Sequence, residues 1–196
     1  MNTHLKRLKF WLFPMILTVL MLAVFLPDEL FSEPLSFQRL LIVNGEYWRL
    51  LTAHIVHLND THLYLNLVGL WFICFLVGDR FKPIEWLALV LVLAFIVSLG
   101  LITFNPYLEH YVGFSGVLHG LLIAGLLKEF NTYAEKGLLI LVALKLFYEQ
   151  VFGPFSGSTE LISGHIIVDA HFYGAIAGMS YIFFRSIVTR KIVESE

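Results

Sequence analysis

The sequence predicts an all-α polytopic membrane protein in which six transmembrane helices form one bundle. Hydrophobic residues make up 58% of its 196 residues and charged residues only 14%, and the mean hydropathy is +0.79. These values are far from those of soluble proteins. Turn-forming and charged residues divide the apolar sequence into six segments, and neither a fixed-period repeat nor a low-complexity tract interrupts them. A single membrane domain over residues 1–196 is therefore expected.

The six apolar segments are predicted to be helices. They span residues 10–26, 62–77, 84–104, 113–127, 137–152 and 168–187. About 20 residues are needed to cross a hydrocarbon core of about 30 Å, so several segments are short for a full span. The first follows the basic sequence KRLK, but no small-residue cleavage site precedes PDELFSEP. We therefore interpret it as a retained helix and not as a signal peptide.

Lysine and arginine residues predict the orientation of the bundle, because short loops that carry them stay on the cytoplasmic side during insertion. Arg39 and Arg49 fall in the outer loop, residues 28–61, which is predicted to form short amphipathic helices in the interface. Lys145 falls within the fifth segment. The ten basic residues at or near the inner face are Lys6, Arg7, Lys9, Arg80, Lys82, Lys128, Lys136, Arg185, Arg190 and Lys191. Both termini are therefore predicted to be cytoplasmic.

Composition and motifs also exclude several classes of function. The net charge of −2 and the dispersed basic residues argue against nucleic acid as a partner. The single cysteine, Cys74, cannot form an internal disulfide or a cysteine-based metal site. A zinc protease of the HExxH type is disfavoured because the sequence lacks that motif, and a metal site formed by His54, His57 and His62 would lack a carboxylate companion. We therefore expect neither a metal nor a cofactor.

Several polar residues lie at one predicted depth in the bilayer. Each is 13 or 14 positions from a charge at the inner face, counted from Ser115 to Lys128, from Asn66 to Asp79 and from His171 to Arg185. At about 1.5 Å per residue, this places them roughly 20 Å from the inner surface and about 10 Å below the outer one. His62 is one turn above Asn66 on the same face. Because polar groups inside a bilayer are costly, this layer predicts either mutual partners or a function.

Two pairs of glycines predict which helices meet. Gly116 and Gly120 in the fourth segment, and Gly174 and Gly178 in the sixth, have the spacing that lets membrane helices approach closely. Gly174 is three residues from His171, so that histidine shares a face with the packing groove. A contact between the fourth and sixth helices would bring the serine and this histidine together.

The chemistry that these residues suggest is acyl transfer by a serine nucleophile and a histidine base. Ser115 is predicted to lie near a helix N-terminus, where unpaired backbone N–H groups favour developing negative charge. His62 and Asn66 can add side-chain donors. His119 and His171 are both candidate bases, since His119 is one turn from the serine on the same helix. His171 is favoured because a base on another helix can adjust its approach.

No Asp or Glu is expected at this depth to orient the base. Asp169 is two positions from His171 and points elsewhere on a helix, so we expect a Ser-His dyad and not a triad. Lys145 and Glu149 are spaced i and i+4 in the fifth segment. We interpret them as an ion pair with a structural role, which could support a mobile lateral gate.

Three stretches of the sequence carry the motifs of a known family. They are YWRLLTAHIVHLNDTHLYLN at residues 47–66, GFSG at 113–116 and HFYGAIAG at 171–178. Together they contain a Trp-Arg pair, HxxxN, GxSG and HxxGxxxG in that order, and they resemble the rhomboid intramembrane serine proteases. The resemblance implies a six-helix bundle that cleaves helical segments of other membrane proteins.

The resemblance also implies a role for each matching residue. Ser115 corresponds to the nucleophile and His171 to the general base. His62, Asn66 and the backbone N–H of Ser115 correspond to the set that stabilises the oxyanion. The supporting positions, which open the turn before the nucleophile, shape the outer loop or pack the helices, are Gly113, Trp48, Arg49, His57, Gly174 and Gly178.

One position departs from the pattern of many relatives. Four residues after the nucleophile they carry a tyrosine that packs on the catalytic histidine, but this sequence has His119. That leaves the packing of His171 open and introduces a second proton carrier. The histidine, the small size and the absence of an extra domain are similar to the rhombosortase branch of Gram-negative bacteria. This resemblance implies an inner-membrane protein whose active site opens to the periplasm, and exported substrates with Gly-Gly-type C-terminal sorting tails.

Two other functions fit parts of the pattern. A catalytically silent rhomboid-like protein would bind membrane helices, but the intact Ser115 and His171 argue against it. A small channel or transporter would line a path with histidines and would show no covalent chemistry at Ser115. Hydrolysis and transfer to another nucleophile share an acyl-enzyme, so the sequence leaves both open.

Overall fold

The computed structural model describes the backbone of residues 3–194 and the side chains of residues 11–27 and 30–187. Within these residues the chain is mostly helical. Its α-helices, numbered in chain order, are α1 (Thr3–Phe25), α2 (Asp28–Leu35), α3 (Arg39–Val43), α4 (Arg49–Thr52), α5 (Asp60–Val77), α6 (Pro83–Phe104), α7 (Ser115–Lys128), α8 (Tyr133–Phe152), α9 (Ser158–Leu161) and α10 (Val168–Glu194). The shorter elements are two turns of 3-10 helix, Ala53–Ile55 and Gly78–Arg80, and two strands, β1 (Phe37–Gln38) and β2 (His110–Tyr111).

Six of these helices coincide with the six apolar segments expected from the sequence, namely α1, α5, α6, α7, α8 and α10. Some of their ends differ from the apolar boundaries because polar residues cap a helix beyond its apolar run. α8 begins at Tyr133 and not at residue 137, since Thr132 Oγ1 accepts a hydrogen bond from Glu135 N at 3.2 Å and the Glu135 carboxylate accepts one from Thr132 N at 2.7 Å. The mostly helical architecture is confirmed.

Two stretches of the described chain are long and apolar enough to cross a membrane by themselves. They are Asp60–Arg80, which contains α5, and Pro83–Phe104, which is α6. The apolar helices Trp11–Phe25 and Ser115–Lys128 are shorter, and α8 carries Lys and Glu residues within its apolar sequence. By length and composition alone, α5 and α6 are the two clear spans.

Helix α7 lies at the centre of the bundle and packs against α5, α6 and α10. Most of its side chains are buried, including those of Val117, Leu118, Leu121, Ile123, Ala124 and Leu126. A helix that is apolar on all sides belongs in the core of a bundle. Its 14 residues extend about 21 Å, which is less than the roughly 30 Å of a hydrocarbon core. The helix is therefore too short to reach from one surface of a bilayer to the other.

Glycines set the distance between α7 and α10. A Cβ atom added at Gly116 would lie 2.7 Å from the Ala170 carbonyl oxygen, and one added at Gly120 would lie 2.7 Å from the Gly174 carbonyl oxygen. Cβ atoms added at Gly174 or Gly178 would overlap the carbonyl groups of α7. The expected contact between the fourth and sixth helices is confirmed, and it is close because these positions have no side chain.

The loop between α1 and α5 is folded around Arg49, which is buried in spite of its charge. Its Nε donates to Glu46 Oε2 at 2.7 Å, and its Nη1 donates to the carbonyl oxygens of Glu33 at 2.7 Å and Ser36 at 2.8 Å. The neighbouring Trp48 is 52% exposed and donates to a carbonyl of α2 at 3.3 Å. Arg49 therefore joins α4 to α2, whereas Trp48 makes a peripheral contact.

A short strand pairing that the sequence did not predict joins this loop to the segment before α7. β1 and β2 are antiparallel, with Phe37 opposite Tyr111 and Gln38 opposite His110. Next to β1, the Arg39 guanidinium donates to four carbonyl oxygens at and after the end of α6, those of Leu101, Ile102, Asn105 and Leu108. These bonds fix the backbone that leads into α7.

Ionic contacts gather at the C-terminal end of α7, away from Ser115. Glu85 pairs with Lys128 at 3.3 Å and with Arg185 at 2.7 Å, and Arg80 pairs with Glu135. Three of the basic residues assigned to the inner face thus share one end of the bundle. Five others assigned to that face have side chains outside the described residues, namely Lys6, Arg7, Lys9, Arg190 and Lys191.

Candidate active site

Ser115 is the first residue of α7, and hydrogen bonds fix the turn before it. Gly113 N donates to the Ala53 carbonyl oxygen at 3.0 Å, and the Tyr111 hydroxyl donates to the Gly113 carbonyl oxygen at 2.9 Å. Gly113 has a φ of +119°, and an added Cβ would lie 2.6 Å from His62 Cε1, so a side chain is excluded by both conformation and space. The turn presents Ser115 at a helix N-terminus, where its backbone N–H has no acceptor within the helix.

The two residues predicted as nucleophile and base are in contact. Ser115 Oγ lies 2.9 Å from His171 Nε2, a distance at which the hydroxyl can donate to the ring nitrogen. His171 is buried on α10, three residues before Gly174, where that helix touches α7. The glycine packing therefore determines the separation of the two side chains.

A carboxylate lies on the other side of the histidine, so the expectation that no Asp or Glu orients it is wrong. Glu149 Oε2, on α8, is 3.0 Å from His171 Nδ1, and Glu149 is buried. Sequence spacing placed Glu149 in the fifth helix but could not give the face that α8 turns toward α10. One signal was available, since Glu149 lies 13 residues after Lys136. The same spacing of 13 residues, from Ser115 to Lys128, was the basis for the predicted depth of Ser115.

Lys145 forms the ion pair expected from its spacing, and it does so inside the site. Its Nζ is 2.8 Å from Glu149 Oε2. The same ammonium lies 2.7 Å from His119 Nε2 and 3.3 Å from His171 Nδ1. Lys145 and Glu149, which were predicted to have a structural role, thus lie on one turn of α8 and contact both histidines.

His119 contacts the backbone of Ser115 and not its hydroxyl. Its Nδ1 is 2.7 Å from the Ser115 carbonyl oxygen. Its ring stacks on that of His171, with centroids 4.3 Å apart and an interplanar angle of 20°. The packing of His171, which the sequence left open, is therefore provided by His119. Of the two candidate bases, His171 is the one in contact with the hydroxyl.

His62 and Asn66 lie on α5, but only His62 lines the space next to Ser115. Its ring packs directly on Gly113, and its backbone N–H donates to the Asn59 side chain at 3.0 Å. Asn66 is one turn further along the helix. Its Nδ2 donates to the His62 carbonyl oxygen at 2.8 Å, and its buried Oδ1 makes no hydrogen bond within the described residues.

A cavity of about 320 Å³ opens above Ser115. Its lining is largely apolar, and the residues include Leu58, His62, Val112, Ile162, Ile166 and Ile167. Because a water molecule occupies about 30 Å³ of liquid, the cavity has room for several waters or for a short extended peptide. The cavity gives water and other small groups access to the Ser115 hydroxyl.

The alternative metal site of His54, His57 and His62 does not form a common centre. His54 Nε2 contacts the Ala94 carbonyl oxygen at 2.9 Å and Ser98 Oγ at 3.0 Å. Burial lowers the pKa of His54 to about 4 and that of His57 to about 3, so both are neutral at physiological pH. Their positions fit a packing role.

The described residues contain one group of side chains that could hold a metal ion, formed by His119, Glu149 and His171. One ligand atom of each lies within 4.8 Å of the others. The Lys145 ammonium contacts the same three side chains. The space in which these three side chains could bind a metal cation is therefore occupied by the Lys145 ammonium.

Comparison with known proteins agrees with the motifs. A family model described as the Rhomboid domain matches residues 44–187. Rhomboid protease GluP of Bacillus subtilis (strain 168) is 29% identical over 147 residues, which are 71% of this chain and 28% of that relative. The chain thus spans little more than a quarter of the length of this curated relative. Because the family model covers well over half of the chain, including both residues of the Ser115–His171 contact, the protein belongs to the rhomboid family.

Proposed function

We propose that this protein is a membrane-embedded serine endopeptidase in which Ser115 is the nucleophile and His171 the general base. The observation that carries the proposal is the 2.9 Å contact between Ser115 Oγ and His171 Nε2. The two residues come from different helices and meet beside a cavity. A hydroxyl held against an imidazole is the arrangement that activates serine for acyl transfer.

The reaction follows from this geometry. His171 Nε2 takes the hydroxyl proton while Ser115 Oγ forms a bond to the scissile carbonyl carbon. The peptide C–N bond then breaks, and the proton passes to the leaving amine. Water, or another amine in a transfer reaction, attacks the acyl-enzyme and gives its proton to the same nitrogen. The bond between Ser115 Oγ and the acyl carbon then breaks, His171 Nε2 returns its proton to Ser115 Oγ, and the carboxylic acid or the transferred product is released.

Charge develops on the carbonyl oxygen during both steps. The backbone N–H of Ser115, at the N-terminus of α7, and the His62 side chain are proposed to stabilise it. We also assign Asn66 to this set, although its Nδ2 donates to the His62 carbonyl oxygen in this structure. Asn66 would have to turn its amide toward the substrate, or it acts by fixing His62.

We propose that six helices cross the membrane, with both termini in the cytoplasm and the cavity open to the periplasm of a bacterial inner membrane. The excess of Lys and Arg on one side supports this orientation. So does the cluster of Arg80, Lys128 and Arg185 at the C-terminal end of α7, since Ser115 is at the other end. The single membrane domain over residues 1–196 is part of the same proposal.

The proposed substrates are exported membrane-anchored proteins whose C-terminal tails carry a Gly-Gly-type motif, an apolar helix and a basic end. His119, where many rhomboids carry a tyrosine, supports placement in the rhombosortase branch. The small, largely apolar cavity supports it further, because glycines have no side chain to fit and unwind a helix easily. A basic end would remain on the cytoplasmic side, where it anchors the tail.

A reporter assay tests this proposal. An exported reporter with such a tail is expressed with the wild-type protein or with the variants Ser115→Ala, His171→Ala and Ser186→Ala. Ser186 is exposed on α10 and donates to a local carbonyl, so its variant is the matched control. We expect the wild type and Ser186→Ala to shorten the reporter, and the other two variants to leave it intact.

Three other results separate the parts of the proposal. Cleavage by Ser115→Ala at the wild-type rate would remove the serine mechanism. Equal cleavage of a tail whose Gly-Gly is replaced by Leu-Leu would leave the protease in place but contradict the proposed specificity. A wild type that binds the tail without cutting it would support the silent helix-binding protein.

A further inference from the structure

Four titratable side chains from three helices, one of them the proposed base, lie in contact with one another. They are His119 on α7, Lys145 and Glu149 on α8, and His171 on α10. Within the described part of α8, Leu146 and Glu149 are the buried side chains. A carboxylate and an ammonium inside a membrane bundle are costly unless each has partners. Their presence therefore calls for a role.

We propose that Glu149 is a positioning residue that keeps the proton of His171 on Nδ1, and that Lys145 balances the charge of Glu149 and would compete for Nδ1 if the carboxylate were lost. In this view the site is a Ser115–His171–Glu149 triad with a built-in counter-cation, supplied by α8. The proposal rests on the proposed function, because it assumes that His171 accepts the proton of Ser115.

One assignment of hydrogens satisfies all of these groups in a closed ring. Ser115 Oγ–H donates to His171 Nε2, and His171 Nδ1–H donates to Glu149. Lys145 donates to Glu149 and to His119 Nε2. His119 Nδ1–H then donates to the Ser115 carbonyl oxygen, which closes the ring. Each ring nitrogen then has one defined role, and two of the three N–H donors of Lys145 have acceptors.

The tautomer of His171 decides whether the site is competent. A base that accepts a proton at Nε2 must carry its own proton at Nδ1, and that proton needs an acceptor. Glu149 Oε2, at 3.0 Å, is such an acceptor. Lys145 has only donors, and its Nζ lies 3.3 Å from the same nitrogen. If Lys145 donated to Nδ1, the ring proton would move to Nε2, and His171 could not act as the base.

The same carboxylate also serves the charged state of the reaction. When His171 takes the serine proton it becomes a cation beside Glu149, while the negative charge moves to the substrate carbonyl oxygen. Before the reaction, Glu149 and Lys145 already cancel each other. The buried site therefore carries no net charge before the proton moves, and it gains a balanced pair when the proton moves.

The test measures how fast a fluorophosphonate probe labels Ser115 in the detergent-solubilised protein, together with the melting temperature of each variant. The variants are Glu149→Gln, Lys145→Met and the double variant Glu149→Gln/Lys145→Met. Glu160→Gln, at an exposed glutamate on α9, is the matched control. The probe forms its bond with the serine oxygen directly, so its rate reports activation of the nucleophile without the binding of a helical substrate.

We expect Glu149→Gln to lower the labelling rate by about 10⁴-fold, the loss found when the carboxylate of a serine triad is removed. The double variant should label at least about tenfold faster than Glu149→Gln, because the competing donor at Nδ1 is gone. It should still label at least about tenfold more slowly than the wild type. With a purely structural role, the double variant would regain labelling rate only to the extent that it regains melting temperature.

Three outcomes overturn the proposal. The first is a wild-type labelling rate in Glu149→Gln. The second is a double variant that labels no faster than Glu149→Gln at equal melting temperature. The third concerns the case in which Glu149→Gln does not fold. The double variant, which buries neither charge, is then the test, and a wild-type labelling rate in it contradicts the triad. Absence of labelling in the wild type would instead mark a failure of the proposed function.

Discussion

Packing between α7 and α10 should control catalysis, and Gly116→Ala tests this at a contact that is close but not fully blocked. The added methyl group would lie 2.7 Å from the Ala170 carbonyl oxygen and 3.2 Å from Val97 Cγ1, whereas ordinary contact begins at 3.4 Å. The backbone carbonyl cannot rotate away, so α10 must move by the difference between 2.7 and 3.4 Å, about 0.7 Å. Overpacking of this kind costs about 1 to 3 kcal/mol of stability.

The consequence for the site follows from its distances. A shift of that size along the line between the two side chains lengthens the contact of Ser115 Oγ with His171 Nε2 from 2.9 Å to about 3.6 Å, which is no longer a hydrogen bond. A misplacement near 1 Å costs about 10²-fold in rate. We therefore expect Gly116→Ala to cleave the tailed reporter about tenfold to a hundredfold more slowly than the wild type.

The assay compares initial cleavage rates in membranes with the melting temperature in detergent. Gly137→Ala is the control, because a Cβ atom at that position on α8 meets nothing within 4 Å. It should keep the wild-type rate and stabilise the helix slightly. A Gly116→Ala variant that cleaves as fast as Gly137→Ala would refute the reasoning that glycine packing sets the separation of the two residues.

Three further predictions concern other parts of the site. Lys145→Ala removes the ammonium from the space among His119, Glu149 and His171. Micromolar zinc should therefore block fluorophosphonate labelling of this variant, and a chelator should restore it. Equal zinc sensitivity of the wild type would contradict this. Gly113→Ala, which forces a side chain into a φ of +119° and against His62, should abolish cleavage while the protein still inserts; an active variant would mean that the turn tolerates a Cβ. Burial lowers the pKa of His57 to about 3 from about 6.5 in the unfolded chain. Between these two pH values the unfolded state binds a proton that the folded state does not. The melting temperature should therefore fall as the pH is lowered through this window. The melting temperature of His57→Phe should fall less over the same pH range. An equal fall would mean that other groups cause the pH dependence.

The sequence predicted the parts of this molecule that have a strong local pattern. Six apolar segments gave the six long helices, because breakers and charges mark their ends. Counting residues from the inner-face charges, together with the motifs, led to Ser115 and His171, which are 2.9 Å apart. The glycine spacing predicted which two helices touch. Each of these inferences depends on a few positions whose spacing along a helix fixes their relative place.

The parts that the sequence did not predict depend on how one helix is rotated against another. Glu149 was assigned to an ion pair with Lys145, which is correct. Its contact with His171 requires the face that α8 turns toward α10, and spacing within α8 carries no such information. The pairing of β1 with β2 involves two residues on each strand, too few to produce an alternating pattern. The direction of the Asn66 amide likewise depends on a neighbouring backbone carbonyl.

The central claim is that Ser115 is a nucleophile activated by His171. It is tested most directly by labelling native membranes with a fluorophosphonate probe and locating the adduct by mass spectrometry in the wild type, His171→Ala, His119→Ala and Ser115→Ala. The account predicts an adduct on Ser115 in the wild type, its loss in Ser115→Ala and His171→Ala, and labelling that survives in His119→Ala. An unlabelled wild type, in membranes where a known rhomboid protease is labelled, would contradict the account and favour a protein that binds membrane helices without cutting them.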